Sequence, residues 1–197
     1  MKMKQKMVKL LAMALSSAML LSTAAYGVQG IETRAGGDEM TGEELATLVT
    51  PIVQEYTLSD AGKTWKMTAD SRLAVLATEE NIQNERLAEV VKLVNSEFME
   101  KEIISAEPFA MVYANQEDVT PADVLIKMDA SVTEDSESEE AYRIDIAENG
   151  VTVTGASENA VMYALRTIQN YMVANQGLLY GTIVDYPDVA ERRLHVD

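Results

Sequence analysis

The alternation of apolar and polar positions changes period several times along this chain, and each change marks an element. From Tyr142, apolar residues fall at every second place: Tyr142, Ile144 and Ile146 alternate with Arg143, Asp145 and Ala147, which predicts a half-buried strand. Asn149-Gly150 follows, a pair that accepts the positive φ of a tight hairpin. Val151 and Val153 then alternate with threonines on a returning strand closed by Gly155. The period next becomes helical: Ser157 is an N-cap, and Val161, Leu165, Ile168 and Met172 form the stripe of a long helix ending near Gly177. The stretch after Gly177 reads as linker.

Upstream, Thr41-Gly42-Glu43-Glu44 has the form of a capping box. It predicts a short helix carrying Leu45, Leu48 and Val49, which Pro51 ends by biasing Thr50 away from helix. Trp65, Met67 and Ala69 alternate with polar residues, and Leu73-Ala74-Val75-Leu76 is a continuous apolar run. Together they predict a first strand pair or one bent strand. Thr78 caps the next element, with Glu79 and Glu80 where the helix dipole favours anions. Leu87, Val91, Val94 and Phe98, supported by Val90, predict a helix of about five turns with one apolar stripe. Residues 124–128 form a further strand core. The order strand, helix, strand, strand, strand, helix lacks βαβα alternation, so the expected fold class is α+β: a small mixed, largely antiparallel sheet with two helices on one face.

Composition narrows the function classes. A chain of 197 residues has room for one modest domain plus appendages, and 47% hydrophobic against 24% charged residues excludes general disorder. Lys2, Lys4, Lys6 and Lys9, the mostly apolar residues 7–21 and the small residues at 22–27 form the three parts of a secretory signal peptide. The apolar run is shorter than the roughly 20 residues a membrane span needs, so residues 1–27 are expected to be removed, with cleavage near Ala25 to Gly27. With the four leader lysines set aside, 12 basic residues face 32 acidic ones, a net charge of −20 against −16 for the whole chain. Such a field repels phosphate backbones and anionic membranes, so neither a nucleic-acid partner nor a membrane is expected for the mature chain. Absence of cysteine removes a lipobox and disulfides and fits a bacterial extracellular or cell-surface protein held by its core alone.

Candidate chemistry is sparse. His195 is the single histidine, and without Cys or a second His no zinc site is expected. No Gly-x-Ser-x-Gly elbow exists for a Ser-His-Asp arrangement, so His195 reads as a packed strand residue. Asp38-Glu39, Glu117-Asp118 and Glu134-Asp135 are adjacent carboxylates, yet each sits in a spacer or polar loop without an apolar wall to raise a pKa. The acid-rich residues 134–140 lack the glycine and ligand spacing of a calcium hand and read as a solvated hairpin loop rather than a metal site. Trp65 reads as core. No metal ligands and no cofactor are expected.

Several segments together resemble a known family. Glu140-Ala141-Tyr142-Arg143-Ile144, Gly150-Val151-Thr152-Val153 and Tyr163-Ala164-Leu165-Arg166-Thr167-Ile168 resemble the non-catalytic N-terminal domain of glycoside hydrolase family 20, the β-N-acetylhexosaminidases. Residues 51–57 with Trp65-Lys66-Met67 are similar to the family's opening segment and first strand, with Val53 in place of a second Pro. Ile183-Val184-Asp185-Tyr186-Pro187 and residues 192–197 are similar to the linker and strand that open the catalytic barrel. Ala160 and Ala164 stand where the family often has Gly, an exchange that favours helix by about 1 kcal/mol, and Arg193 stands in place of a Gly.

The resemblance divides the chain into a signal peptide (1–27), a spacer with a short helix (28–49), the hexosaminidase N-terminal domain (50–184), and a linker with the start of a barrel (185–197). It implies a partner, the catalytic barrel, and through it a glycan bearing N-acetylhexosamine. It also implies substrate-assisted, retaining hydrolysis of terminal β-linked N-acetylhexosamines, with the catalytic Asp and Glu beyond Asp197 and no catalytic residue in this chain. Arg192 alone matches a sugar-binding position of the family. Alternatives at this level are a helper domain of an O-GlcNAcase-like or α-glucuronidase enzyme, and a secreted non-enzymatic glycan-binding domain.

Overall fold

A computed structural model describes residues 40–100, 108–132, 138–175 and 177–187. The expected signal peptide and spacer before Met40, residues 134–137 of the acid-rich stretch, and residues 188–197 with Arg192, Arg193 and His195 lie outside the described residues.

In chain order the elements are α1 (Gly42–Ala46), β1 (Glu55–Trp65), β2 (Arg72–Leu76), α2 (Glu79–Gln83), α3 (Glu85–Glu100), β3 (Ala110–Ala114), β4 (Val124–Met128), β5 (Tyr142–Ala147), β6 (Gly150–Gly155), α4 (Glu158–Asn175) and β7 (Leu178–Asp185). The strands form a single mixed sheet in the order β1-β7-β5-β6-β4-β2-β3. Pairings from β1 to β6 are antiparallel and those from β6 to β3 are parallel, so the expected antiparallel character belongs to one half of the sheet. Each parallel neighbour is reached over a long connection, as a parallel pair requires.

One face of the sheet carries Leu73, Val75, Val124, Ile126, Ile144, Ile146, Val151, Val153 and Ile183 into the same core as Leu87, Val91, Val94 and Phe98 of α3 and Val161, Leu165, Ile168 and Tyr171 of α4. The two helices lie against each other, and α4 crosses β5, β6 and β7. This is the α+β layering expected, two long helices on one face. The stripe read from sequence is the buried one: Leu87, Val91, Val94, Val161, Leu165 and Ile168 are all within 1% of complete burial.

Several element boundaries differ from expectation. The first helix ends at Ala46, so Leu48 and Val49 lie beyond it; its capping box is present as read, Thr41 Oγ1 accepting from Glu44 N and Thr41 N donating to the Glu44 carboxylate. The helix expected to run unbroken from Thr78 is two. Thr78 caps α2, and Asn84 then leaves the helical region (φ −82°, ψ 88°) and starts α3 with its own side chain, Oδ1 accepting from Leu87 N at 2.9 Å. Asn84 can afford the break because its Nδ2 also donates to Glu158 at 2.7 Å, tying α3's start to that of α4. The first strand begins at Glu55, well before Trp65, and neither Met67 nor Ala69 belongs to it.

Two strands were not expected at all. The supposed linker after Gly177 is β7, which pairs with both β1 and β5 and so joins the outermost strand to the sheet. Gly181 inside it weakens the strand pattern, yet a Cβ there would stand 2.2 Å from Thr57 O. β3 is an edge strand with only Ala114 buried, and its burial carries no period. Its entry is set by Asn95 of α3, which is buried and exchanges two hydrogen bonds with the backbone of Phe109, at 2.7 and 2.9 Å.

The hairpin sits where it was read, with a shift at its tip. Ala147 pairs with Gly150, leaving Glu148 and Asn149 as the loop, and Gly150 carries the positive φ of 114°.

Candidate functional site

Three places in the described domain bring several polar or ionisable side chains together. At the start of β4, Asp123 is fully buried and its carboxylate accepts from Arg72 Nε at 2.9 Å, from the other Arg72 nitrogen at 2.5 Å, and from Thr120 N and Oγ1 at 2.7 and 2.9 Å. Burial alone would push this carboxyl up, but those donors outweigh it and hold the pKa at about 2 against an ordinary 3.8. Asp123 O also accepts from Val151 N, and Trp65 Nε1 donates to Pro121 O at 2.9 Å. The cluster therefore clips β2, β4, β6 and the end of β1 together. An ionised carboxylate with every strong donor aimed at it is a poor proton donor, and its role is structural. Trp65 is 5% exposed and belongs to the core as read.

On the sheet face away from the helices, Arg143 Nε donates to both Asp145 oxygens at 2.9 Å, and Thr182 Oγ1 donates to Asp145 Oδ1 at 2.9 Å. All three are partly solvated, so the Arg143–Asp145 ion pair along β5, joined to β7 only by the Thr182 hydrogen bond, is of modest worth.

The third place is a cavity of about 620 Å³ where the backbone of residues 50–54, α4 and the end of β7 meet. Arg166 on α4 forms a two-pronged ion pair with Glu97 of α3, at 2.6 and 3.0 Å, and the hydrogen bonds to Glu97 push its pKa further up. Tyr142 on β5 shares a 2.6 Å hydrogen bond with Thr167. Burial, then the charge of Asp185, pushes its phenol far above the ordinary range, so it stays neutral. Asn170 Nδ2 donates to Thr50 O at 3.2 Å, Gln54 N to Asp185 Oδ1 and Gln54 Nε2 to Tyr186 O, each at 3.3 Å. Gln169 lines the same cavity at 1% exposure, and its Nε2 is the one buried side-chain nitrogen or oxygen without a hydrogen-bond partner among the described residues.

Of the residues singled out from sequence, Glu117 and Asp118 lie exposed in a 3-10 turn (Gln116–Asp118), with Asn115 Nδ2 donating to Asp118 at 3.1 Å. Asp38-Glu39, Glu134-Asp135, Arg192 and His195 lie outside the described residues. Among the described residues no three His, Cys, Asp or Glu side chains come close enough to hold a metal ion. Sequence reasoning passed over the cavity. Its one trace in sequence is Gln169, a polar residue four positions after Leu165 and so on the buried side of α4.

Comparison with known proteins agrees with this architecture. No curated protein sequence matches the chain. Among solved structures it is similar to the N-acetyl-β-hexosaminidase of Streptomyces plicatus (14% identity, TM-score 0.52, covering 73% of this chain and 27% of that one). It is likewise similar to the GH20 β-N-acetylhexosaminidase of Streptomyces coelicolor A3(2) (15%, 0.50, 73% and 27%) and to the chitobiase of Flavobacterium johnsoniae (14%, 0.50, 76% and 22%). The chain spans about a quarter of the length of these enzymes, and at such identities the likeness is one of fold. The sequence profile of glycosyl hydrolase family 20, domain 2, matches residues 46–186, a stretch that holds every strand and both long helices, and the chain belongs to that family.

Proposed function

We propose that this protein is the supporting, non-catalytic domain of an exported β-N-acetylhexosaminidase, and that by itself it does not hydrolyse glycosides. The match of residues 46–186 to domain 2 of the family carries this reading. The chemistry of the domain supports it: its buried carboxylate, Asp123, is held ionised by Arg72, whereas a general acid needs a raised pKa.

In the enzyme that contains it, the acetamido oxygen of a terminal β-linked N-acetylhexosamine attacks the anomeric carbon, and an Asp-Glu pair of the barrel orients that group and shuttles the proton. Family 20 departs in this way from the usual two-carboxylate scheme. This domain's task is to hold the barrel. Release of chromophore from an aryl N-acetyl-β-glucosaminide tests the reading: the 197-residue chain is expected to match the blank, and the longer polypeptide read from the gene to turn over. Turnover by the 197-residue chain, or none by the longer one, overturns it.

Arg192 is proposed as a sugar-binding residue of that longer enzyme. Arg192→Ala is expected to raise KM at least tenfold, as loss of a charge-assisted hydrogen bond of about 1.5–3 kcal/mol requires. An unchanged KM removes the assignment. Export is proposed from the leader, with Lys2, Lys4, Lys6 and Lys9 ahead of the apolar run.

A further inference from the structure

We propose that Asn149, at the tip of the β5–β6 hairpin, is a self-modifying site: the main-chain nitrogen of Gly150 displaces ammonia from the Asn149 side-chain amide, and the isoaspartyl product unseats the start of β6. The inference concerns the fold and stands whether or not the domain serves a hydrolase.

The attack needs a nitrogen next to the amide-bearing residue with no side chain shielding it. Gly150, which lacks a Cβ, supplies one, and Asn149-Gly150 is the one Asn-Gly pair of the sequence. The Gly150 nitrogen gives its proton to a solvent base and bonds to Asn149 Cγ, while the Cγ–Nδ2 bond breaks and ammonia leaves. Water then opens the five-membered imide. Opening at Cγ leaves aspartate; opening at the Asn149 carbonyl carbon leaves isoaspartate, whose main chain runs through the side chain. In sum, water is consumed and ammonia released, with no oxidant or cofactor.

The fold selects this amide over its rivals. Asn81, Asn84, Asn95, Asn115 and Asn170 each donate through Nδ2 to an acceptor between 2.7 and 3.2 Å away. Asn95, followed by the small Ser96, is also buried inside α3 with both amide atoms on the backbone of Phe109. Asn149 is exposed in a two-residue loop, and among the described residues no hydrogen bond holds its side chain. Gly150 is itself buried, so attack waits on opening of the tip, which comes more readily than opening of a packed helix.

The same glycine makes the product matter. A Cβ on Gly150 would stand 3.1 Å from Asp123 O, 3.3 Å from Thr120 O and 3.4 Å from Pro121 O, and Val151 N donates to Asp123 O at 3.2 Å. The start of β6 therefore sits in a ring of carbonyls from the segment whose Asp123 side chain holds Arg72. An isoaspartyl link adds a main-chain carbon directly before that seat. An aspartyl product keeps the main chain and adds only a charge beside the exposed Glu148.

The test holds the folded 197-residue chain at 37 °C in mildly alkaline 18O-water, then digests it in ordinary water for mass mapping. The peptide containing residues 148–150 is expected to gain about 3 Da, a labelled oxygen in place of the amide nitrogen, about tenfold or more faster than peptides with the other five asparagines. Labelling by a protein isoaspartyl methyltransferase is expected to identify isoaspartate there. The fraction carrying it should melt about 2–4 °C below the fresh chain, and Asn149→Asp within about 1 °C of the fresh chain. No gain at Asn149, a gain no faster than at the other asparagines, or a gain only in urea overturns the proposal. So does an isoaspartyl fraction that melts with the fresh chain, or an Asn149→Asp chain that melts as low as that fraction.

Discussion

Asp123 shows at the scale of a single residue how this domain spends its charge. The carboxylate is buried and four hydrogen bonds hold it ionised. Its pKa in the fold, about 2, lies below the 3.8 of the free side chain. A depressed carboxyl contributes stability that is fully present above about pH 4 and is lost as pH falls towards 2. That contribution is on the order of 2–2.5 kcal/mol. Asp123→Asn is expected to cost about 2–3 kcal/mol at pH 6, because it leaves Arg72 without its anion. The gap between wild type and variant in urea unfolding should narrow by about 1–2 kcal/mol from pH 5 to pH 2.5. A gap independent of pH would show that the ionised form is not what the fold uses. None of this was legible beforehand, since Arg72 and Asp123 are 51 positions apart and nothing local links them.

At the scale of elements, legibility followed locality. The hairpin from Tyr142 to Gly155, the capping box at Thr41 and the stripes of α3 and α4 are all written in windows of a few residues, and all are present. What failed to show were elements whose reason lies elsewhere in the chain. β7 carries Gly181 because β1 passes so close that a Cβ would meet Thr57 O at 2.2 Å and Leu58 Cα at 3.0 Å. Backbone cannot yield as a side-chain tip does, so Gly181→Ala is expected to cost at least 2–3 kcal/mol and to loosen β1 from the sheet. Hydrogen exchange is the measurement: amides of residues 55–65 should lose protection while those of β4 and β6 keep theirs. Retained protection in β1 would mean that the strands can slide apart at no cost. The Asn84 break has the same origin, since the Glu158 that supports it lies 74 positions on.

At the scale of the whole molecule, the described domain has two faces that differ in kind. The helix side of the sheet is a continuous core from Leu45 to Ile183, and the other side carries the Arg143, Asp145 and Thr182 network. The chain's charge of −16 keeps such a body soluble and away from anionic surfaces. Export belongs to this scale too, and mass spectrometry of the protein recovered from culture medium is expected to show the first 25–27 residues missing. An intact leader on protein retained in the cells would contradict it. With the leader gone the mature chain is more acidic than the precursor, which also sharpens repulsion from nucleic acid.

By itself the sequence determined the fold class, the core stripe of each long helix, the hairpin and, through ordered short motifs, the family. These are properties of neighbouring residues: side-chain period, cap and turn chemistry act over one to five positions, so a window holds all the physics. Only the tertiary structure decided the sheet order, the central place of β7, the ionised state of Asp123 and the cavity around Gln169. Each of those depends on groups tens of residues apart brought within 3 Å or so of one another. Hydrogen bonding and desolvation act over that distance in space and leave no period in the chain.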